Sequence, residues 1–469
     1  MADAPDLPDV RFHPSDGLST NPNEPLYWER AALAKELERS FELCHSCRMC
    51  FKYCQSFPTL FAAMDEHGDV RRIPDATLRR VVDECFQCKL CYTQCPYTEK
   101  ERHPFRLDFP RLMLRAKAVR RKSEGIPLRD RLLADPDRLG RIGSRFSSLA
   151  NWGNRLRPNR VLMERFAGIH RDKLLPTFAG RTFPAWFRSQ TGGVDETADG
   201  DSKVVLFATC FVSYNNPAVG RAAFAVLRHN GCRIACPAVE CCGMPALDAG
   251  DIALARRKAE RNVRALLPYV ERGFRVAAIN PTCSLMMRED YPHLLDDPAD
   301  RILADAARTV AAAVRDLSEY LWELRTEGKL KEDFKSTPGV SVAYHAPCHL
   351  RLQNVGFRGR DLMRRIPGVK PMLVAECCGH DGTWAMKREY FGPALRNGEK
   401  AFAGMRETGA QVWATDCPLA ALQFEQACGK RPLHPVEILE RAYRADGFDR
   451  GVAKPGDPAP AGLGAEEAQ

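Results

Sequence analysis

No apolar run in the 469-residue chain approaches the length of a membrane span, so no transmembrane helix is expected. The opening residues, Met-Ala-Asp-Ala-Pro-Asp-Leu-Pro, lack the basic and apolar regions of a secretory signal. The expectation is an unexported, cytoplasmic protein. No strand-like run leads into G-x-G-x-x-G and a helix, so neither FAD nor NAD is expected to bind this chain. The nineteen cysteines are odd in number, which a fully paired disulfide framework cannot use. In a reducing compartment such an excess points to metal ligation.

Eight of these cysteines fall into two runs. The first is Cys44-x2-Cys47-x2-Cys50-x3-Cys54, and the second is Cys85-x2-Cys88-x2-Cys91-x3-Cys95-Pro96. This is the bacterial ferredoxin spacing for [4Fe–4S] clusters. Three thiolates at two-residue gaps wrap one cubane, and the loop cannot easily bring the fourth to the same cube. The fourth cysteine therefore ligates the other cluster. The reading assigns Cys44, Cys47, Cys50 and Cys95 to one [4Fe–4S] cluster and Cys54, Cys85, Cys88 and Cys91 to a second. Zinc fits less well, because structural zinc sites combine two separated Cys-x2–4-Cys pairs. Apolar and helical-looking residues between Cys54 and Cys85 favour helices joining the loops. A helix is also expected from about Pro25 to Leu43, capped by Asn23.

Beyond residue 202 the pattern changes to strands alternating with helices, which implies a parallel sheet covered on both faces. The stretches 203–210, 275–280, 340–348, 370–377 and 412–417 read as buried strands, with helices at 251–266 and 393–407. An internal repeat runs through this half. Cys210, Cys241-Cys242-Gly243 and Cys283 recur in order as Cys348, Cys377-Cys378-Gly379 and Cys417. All eight of these cysteines are candidate metal ligands. They lie at carboxyl ends of strands and near helix N-termini, where α/β proteins hold cofactors and where anionic sulfur is favoured. His345, His349 and His380 flank them; such a histidine is more often a hydrogen-bonded core residue than a ligand. Cys232, Cys236 and Cys428 read as small buried apolar groups.

The two Cys…Cys-Cys-Gly…Cys repeats behind a two-cluster unit resemble the CCG-domain iron–sulfur oxidoreductases. This family includes the iron–sulfur subunits of anaerobic glycerol-3-phosphate dehydrogenase and of glycolate oxidase, lactate-utilisation proteins and heterodisulfide reductase. The resemblance is carried by HAPCHLRLQNVG (345–356), IPGVKPMLVAECCGHDGTWAMKRE (366–389), TDCPLA (415–420) and HPVEIL (434–439). It implies an iron–sulfur electron-transfer subunit of an oxidoreductase. Electrons would pass through its clusters from a redox partner, a flavoprotein dehydrogenase, to quinone or another acceptor, and substrate oxidation would sit on the partner chain. It further implies one or two additional clusters or metals in the repeats. The sequence departs from the heterodisulfide-reductase pattern at one place: Cys283-Ser-Leu-Met286 and Cys417-Pro-Leu-Ala420 stand where that family has Cys-x-x-Cys. Each repeat thus keeps four candidate cysteines.

The net charge of +9 is unevenly spread. Residues 102–190 hold 21 Lys and Arg against 7 Asp and Glu, leaving the rest of the chain about −5. Aromatic residues interleave with these cations. Such a segment suits a salt-bridged helical bundle, or peripheral contact of residues 110–190 with an anionic membrane surface or an acidic partner; nucleic acid is a weaker fit. The overall expectation is an α+β multidomain chain. It comprises a disordered arm (1–22), an α-helical ferredoxin-like domain with two [4Fe–4S] clusters (23–110) and a basic helical segment with linker (111–201). Two pseudo-symmetric α/β CCG units (202–335 and 336–447) and a disordered tail (448–469) complete it. The competing reading is a free-standing thiol–disulfide or peroxide-defence reductase working at the CCG crevice.

Overall fold

The computed structural model describes residues 12–195 and 200–448. The first half of the expected arm (1–11), the middle of the expected linker (196–199) and the expected tail from 449 onward lie outside the described residues. The chain forms two compact units. One holds the residues up to Ile126 together with Asp248–Gly250, and the other holds the remainder.

The first unit is helical, with α1 (Arg30–Cys47), α2 (Ser56–His67), α3 (Asp75–Glu84), α4 (Leu90–Gln94) and α5 (Phe109–Glu124). Its core is aromatic. Phe41 and Phe57 both pack on Phe109, with ring centroids 6.0 and 4.7 Å away. The single helix expected over 25–43 is instead a 3-10 turn, Pro25–Trp28, followed by α1. The break at Glu29 has a cause in the buried Arg115 of α5. Its guanidinium donates to the carbonyls of Leu26 (2.6 Å) and Tyr27 (2.8 Å), diverting acceptors that a continuous helix would use. Asn23 does not cap a helix; its N–H closes on the Asn21 side chain. At the other end α1 outruns the expectation and carries Cys44 and Cys47 on its last turn.

Residues 12–22, expected as part of a disordered arm, are held down. Arg115 also donates to Gly17 O (2.7 Å), and buried Arg39 of α1 donates to Phe12 O (2.9 Å) and Phe105 O (2.8 Å). Glu36 binds Arg39 and accepts from both the backbone and the hydroxyl of Ser15. A buried guanidinium needs several acceptors, and an irregular strand supplies carbonyls that helices have already spent.

The second unit contains two sheets. Strands β1 (Val194–Asp195), β2 (Lys203–Phe207), β3 (Arg233–Ala235), β4 (Arg275–Ala278) and β5 (Val314–Asp316) form one, in the order β1-β3-β2-β4-β5. All its pairs are parallel except β1 with β3. Strands β6 (Val342–His345), β7 (Met372–Val374) and β8 (Val412–Thr415) form the other, in the parallel order β7-β6-β8. The triplets β3-β2-β4 and β7-β6-β8 have the same topology, as the internal repeat predicts. Three strands fall outside the expected list. β1 is an antiparallel edge drawn from the polar stretch taken as linker, and β3 and β5 are three-residue strands too short to read.

The two repeats share a core. Val204, Leu206 and Ala277 of the first sheet belong to one apolar cluster with Val342, Tyr344 and Ala414 of the second. Phe183 and Phe187, from the helix Phe183–Thr191, complete it. Asp416, buried at this seam, accepts from Ser318 of the first repeat and Tyr344 of the second.

Arg115→Met removes the charged partner of three carbonyls and is expected to cost about 2–4 kcal/mol. Hydrogen–deuterium exchange should then rise across residues 17–28. Unaltered protection there would refute this account of how the segment is held.

Candidate metal centres

The first run of four cysteines begins on the last turn of α1, with Cys44 and Cys47, and continues through a turn to Cys50 and Cys54. The second begins just past α3 with Cys85, passes Cys88, places Cys91 inside α4 and ends just beyond it at Cys95. Arg48 and Lys89, each the residue after the second cysteine of its run, take left-handed backbone with φ of 52° and 57°. Such a conformation costs a non-glycine residue about 1–2 kcal/mol. The same strain at the same place in both runs marks a shared loop geometry rather than an accident of packing.

Sulfurs from the two runs meet crosswise. Burial pushes the Cys44 thiol well up, and after burial its strongest influences are Cys50, Cys95 and Cys47. Cys50 rises to about 12 through burial and then through Cys95 and Cys47. Cys91 is also pushed well up, by burial and then by Cys85 and Cys54. Weaker influences from Cys50 and Cys44 on Cys91 place the two groups side by side. Cys88 lies half-buried between Cys85 and Cys91. Thiolates gathered this way repel one another, so the sulfurs hold their protons until a cation displaces them. Donors to sulfur are already in place. The Tyr97 N–H bonds to Cys95, its hydroxyl bonds to Cys47, and the Gln87 amide lies 3.3 Å from Cys85 Sγ.

In the second unit the repeat cysteines sit at carboxyl ends of parallel strands. Cys210 follows β2 and opens the short helix Cys210–Tyr214; Cys348 follows β6 and opens Cys348–Gln353. Cys283 lies in Pro281–Leu285 after β4, and Cys417 caps Pro418–Cys428 after β8, accepting from Ala420 N at 3.4 Å. The Cys-Cys-Gly turns follow β3 and β7. Met286 and Ala420, where a further cysteine would stand, are buried.

In the first repeat the four sulfurs form a hydrogen-bonded run from Cys210 to Cys241 to Cys242 to Cys283. Cys241 is the member held low. Bonds from Cys210 and Cys242 are the main causes, helped by the Gly243 N–H and the Lys258 charge. Lys258 Nζ donates to Asp137 (2.7 Å) and Asp135 (2.9 Å), and Asp137 accepts the Cys241 N–H at 2.8 Å. Asn262 pins the loop, accepting from Glu240 N and donating to Tyr291 OH, whose own hydroxyl donates to Cys242 O.

In the second repeat Cys348 hydrogen-bonds Cys377, while Cys378 feels Cys377 and Cys417. Cys417 also feels Cys283, so the two repeat sites adjoin. Their cysteine-bearing helices interlock through His349 with Thr282 (2.9 Å) and Gln353 with Ser284 (3.0 Å). Lys173 is buried beside Cys378, with Nζ 2.6 Å from Gln423 Oε1, and burial brings it down to about 8. His345 is hydrogen-bonded on both sides, to Thr415 and to the Glu376 carbonyl. Among the described residues, no three His, Cys, Asp or Glu side chains converge closely enough for a single ion. A polynuclear cluster, in which each thiolate takes its own iron, spreads its ligands more widely.

Cys232, Cys236 and Cys428 lie outside these groups. Tyr320 OH lies 4.0 Å from Cys232 Sγ, and Arg406 donates to Cys428. Asp137, Lys258, Lys173 and Asn262 have no sequence signature, because Asp137 and Lys173 come from the basic segment and meet the cysteines only in the fold.

The cysteine-rich domain family CCG matches residues 204–288 and 342–425. The chain is 29% identical over 409 residues to a subunit of the anaerobic glycerol-3-phosphate dehydrogenase of Escherichia coli, covering 86% of this chain and 99% of that protein. It is 30% identical over 221 residues to lactate utilization protein A of Bacillus velezensis, covering 46% of this chain and 87% of that protein. It is also 28% identical over 256 residues to a subunit of the fumarate reductase (CoM/CoB) of Methanothermobacter marburgensis, spanning 52% of this chain and 47% of that protein.

The glycines after the paired cysteines differ in what they tolerate. A Cβ on Gly379 (φ +68°) would lie 2.0 Å from the Ala394 carbonyl oxygen, whereas on Gly243 (φ +94°) the nearest atom would be 3.4 Å away. Gly243→Ala is expected to cost about 1–2 kcal/mol from backbone strain. Gly379→Ala should cost clearly more, with displacement of the helix Phe391–Glu407. Equal thermal midpoints for the two variants would contradict this.

Proposed function

This chain belongs to the family of lactate utilization protein A and carries two CCG cysteine-rich domains, and from that premise we propose that it is the iron–sulfur electron-transfer subunit of an oxidoreductase. Cys44, Cys47, Cys50 and Cys95 hold one [4Fe–4S] cluster; Cys54, Cys85, Cys88 and Cys91 hold the other. Cys210, Cys241, Cys242 and Cys283 of the first repeat, and Cys348, Cys377, Cys378 and Cys417 of the second, hold further metal groups. Such clusters supply reversible one-electron carriage. The chain's own residues bury the sulfurs and orient N–H donors at them, and within each unit the two cysteine groups adjoin. Electrons arrive from a flavoprotein dehydrogenase and leave to quinone or a comparable acceptor. The carrying observation is the crosswise meeting of Cys95 with Cys44, Cys47 and Cys50, and of Cys54 with Cys85 and Cys91.

The basic segment supports a peripheral place on an anionic lipid surface. No helix among the described residues is long and apolar enough to cross a membrane. The helices between Leu128 and Ala167 instead expose Leu128, Ile142, Phe146, Leu149, Trp152, Leu162 and Phe166, with Phe166 79% and Leu149 65% accessible. Arg131, Arg138, Arg141, Arg145, Arg155, Arg157 and Arg165 are exposed among them. The four acids of the same stretch are turned away: Asp130, Asp137 and Glu164 are buried and Asp135 is half-buried. The opposite side of Pro136–Arg145 is fixed to the fold, with Gly140 under the Tyr214 ring and Gly143 under Phe178. Aromatic anchors among cations suit an acidic headgroup layer, where each Arg adds about 1 kcal/mol.

Anaerobically purified protein should contain about eight iron and eight acid-labile sulfide for the first unit alone. Cys95→Ser should then remove the same low-temperature EPR signal as Cys44→Ser, and Cys54→Ser the same signal as Cys85→Ser. Pairing within each run of four instead would overturn the assignment, and zinc without sulfide would overturn the function.

Vesicles containing phosphatidylglycerol should co-sediment with the protein at low salt and release it at high salt. Joint substitution of Phe146, Trp152 and Phe166 by Ser should weaken binding at least about tenfold. Binding unaffected by both salt and these substitutions would remove the membrane reading.

A further inference from the structure

The two repeat sites are built alike but are not chemically alike. In the first, the residue after Cys-Cys-Gly is Met244, a buried apolar side chain, and the neighbouring cation Lys258 is matched by Asp135 and Asp137. In the second, the residue after Cys-Cys-Gly is His380. Both of its ring nitrogens are buried, and neither has a hydrogen-bond partner among the described residues. The neighbouring cation is Lys173, whose ammonium bonds to the Gln423 amide oxygen and has no carboxylate partner among the described residues. The Gln423 amide nitrogen is itself buried without a partner among the described residues. The His380 ring and the Gln423 amide nitrogen are thus left unsatisfied, and the Lys173 charge lies beside Cys378.

A buried imidazole with two open nitrogens is costly, and native structures rarely leave one so. His345 and His349, the other histidines flanking this site, are both hydrogen-bonded, so His380 stands apart from them. Its backbone N–H already bonds to Cys378, and its ring and Cys378 both sense the Lys173 charge. A neutral imidazole nitrogen has a lone pair to give to a metal.

We propose that His380 supplies a ring nitrogen as an additional ligand to the metal group of the second repeat, alongside Cys348, Cys377, Cys378 and Cys417, with Lys173 as the buried counter-charge. The inference rests on the reading that this repeat holds a metal group. The coordinate bond uses the lone pair of one nitrogen, and no proton is lost. The other nitrogen keeps its hydrogen. A neutral ligand among thiolates leaves the site less negative than an all-cysteine one, and replacing Cys by His raises an iron–sulfur potential. The first repeat, with Met244 at the matching position, has no such ligand.

The test uses the anaerobically purified full chain as wild type and as His380→Leu, His380→Cys and Cys378→Ser. Metal and sulfide counts, pulsed EPR for nitrogen coupling, and a redox titration are read together. Wild type should show a strongly coupled imidazole nitrogen on a signal that Cys378→Ser abolishes. His380→Leu should lose that coupling together with metal. His380→Cys should keep the metal, lose the coupling and move the midpoint potential downward, which separates ligation from a folding defect. If Cys378→Ser loses the signal but both His380 variants keep the nitrogen coupling and the potential, the ligand proposal fails and the metal reading stands. If Cys378→Ser changes neither metal nor spectrum, the second repeat holds no metal and both fail.

Discussion

The repulsion among clustered sulfurs governs this architecture. Cys44, Cys50, Cys91 and Cys378 are pushed upward because burial and neighbouring cysteines disfavour each additional negative charge. A chain that collects cysteines from separate segments must hold them against that repulsion with unrelated forces. In the first unit the force is an aromatic core around Phe109 and two buried guanidiniums, Arg39 and Arg115, that bind irregular backbone to helices. In the second it is the shared apolar cluster and a set of polar pins, with Asn262 and Tyr291 fixing the Cys241–Cys242 turn.

The repeats illustrate how scaffold and site separate. Their strand order and the placement of cysteines at strand ends are the same. Their surroundings differ: a neutralised lysine and a methionine border one site, and an unneutralised lysine and a histidine border the other. Met286 and Ala420 fill their positions with ordinary burial, and the Ala420 backbone donates to Cys417 all the same.

What could be read from the sequence was what is local or periodic. The grouping of cysteines follows from spacing within loops, and β2, β4, β6, β7 and β8 from their apolar runs. The three-residue β3 and β5 and the edge strand β1 escaped because none of them carries enough residues to show a period. The break at Glu29 and the fastening of residues 12–22 escaped because their cause, Arg115, lies about ninety residues further on. The roles of Asp137 and Lys173 were hidden for the same reason. Both belong to a segment whose composition announces only positive charge, yet each turns inward to a cysteine site of the second unit. His380 was visible as a flanking residue, but only the open nitrogens of its ring separate it from His345, whose nitrogens are both bonded.

The exposed cations between residues 128 and 167 are arginines throughout; the stretch contains no lysine. A guanidinium stays protonated at any pH a cell reaches and is not a substrate for acetylation. The charge of this face is therefore a constant of the molecule. Whatever anionic surface it meets, attachment can be loosened by mobile ions or by altering that other surface, while the exposed arginines of this stretch offer no proton or acyl switch with which to let go.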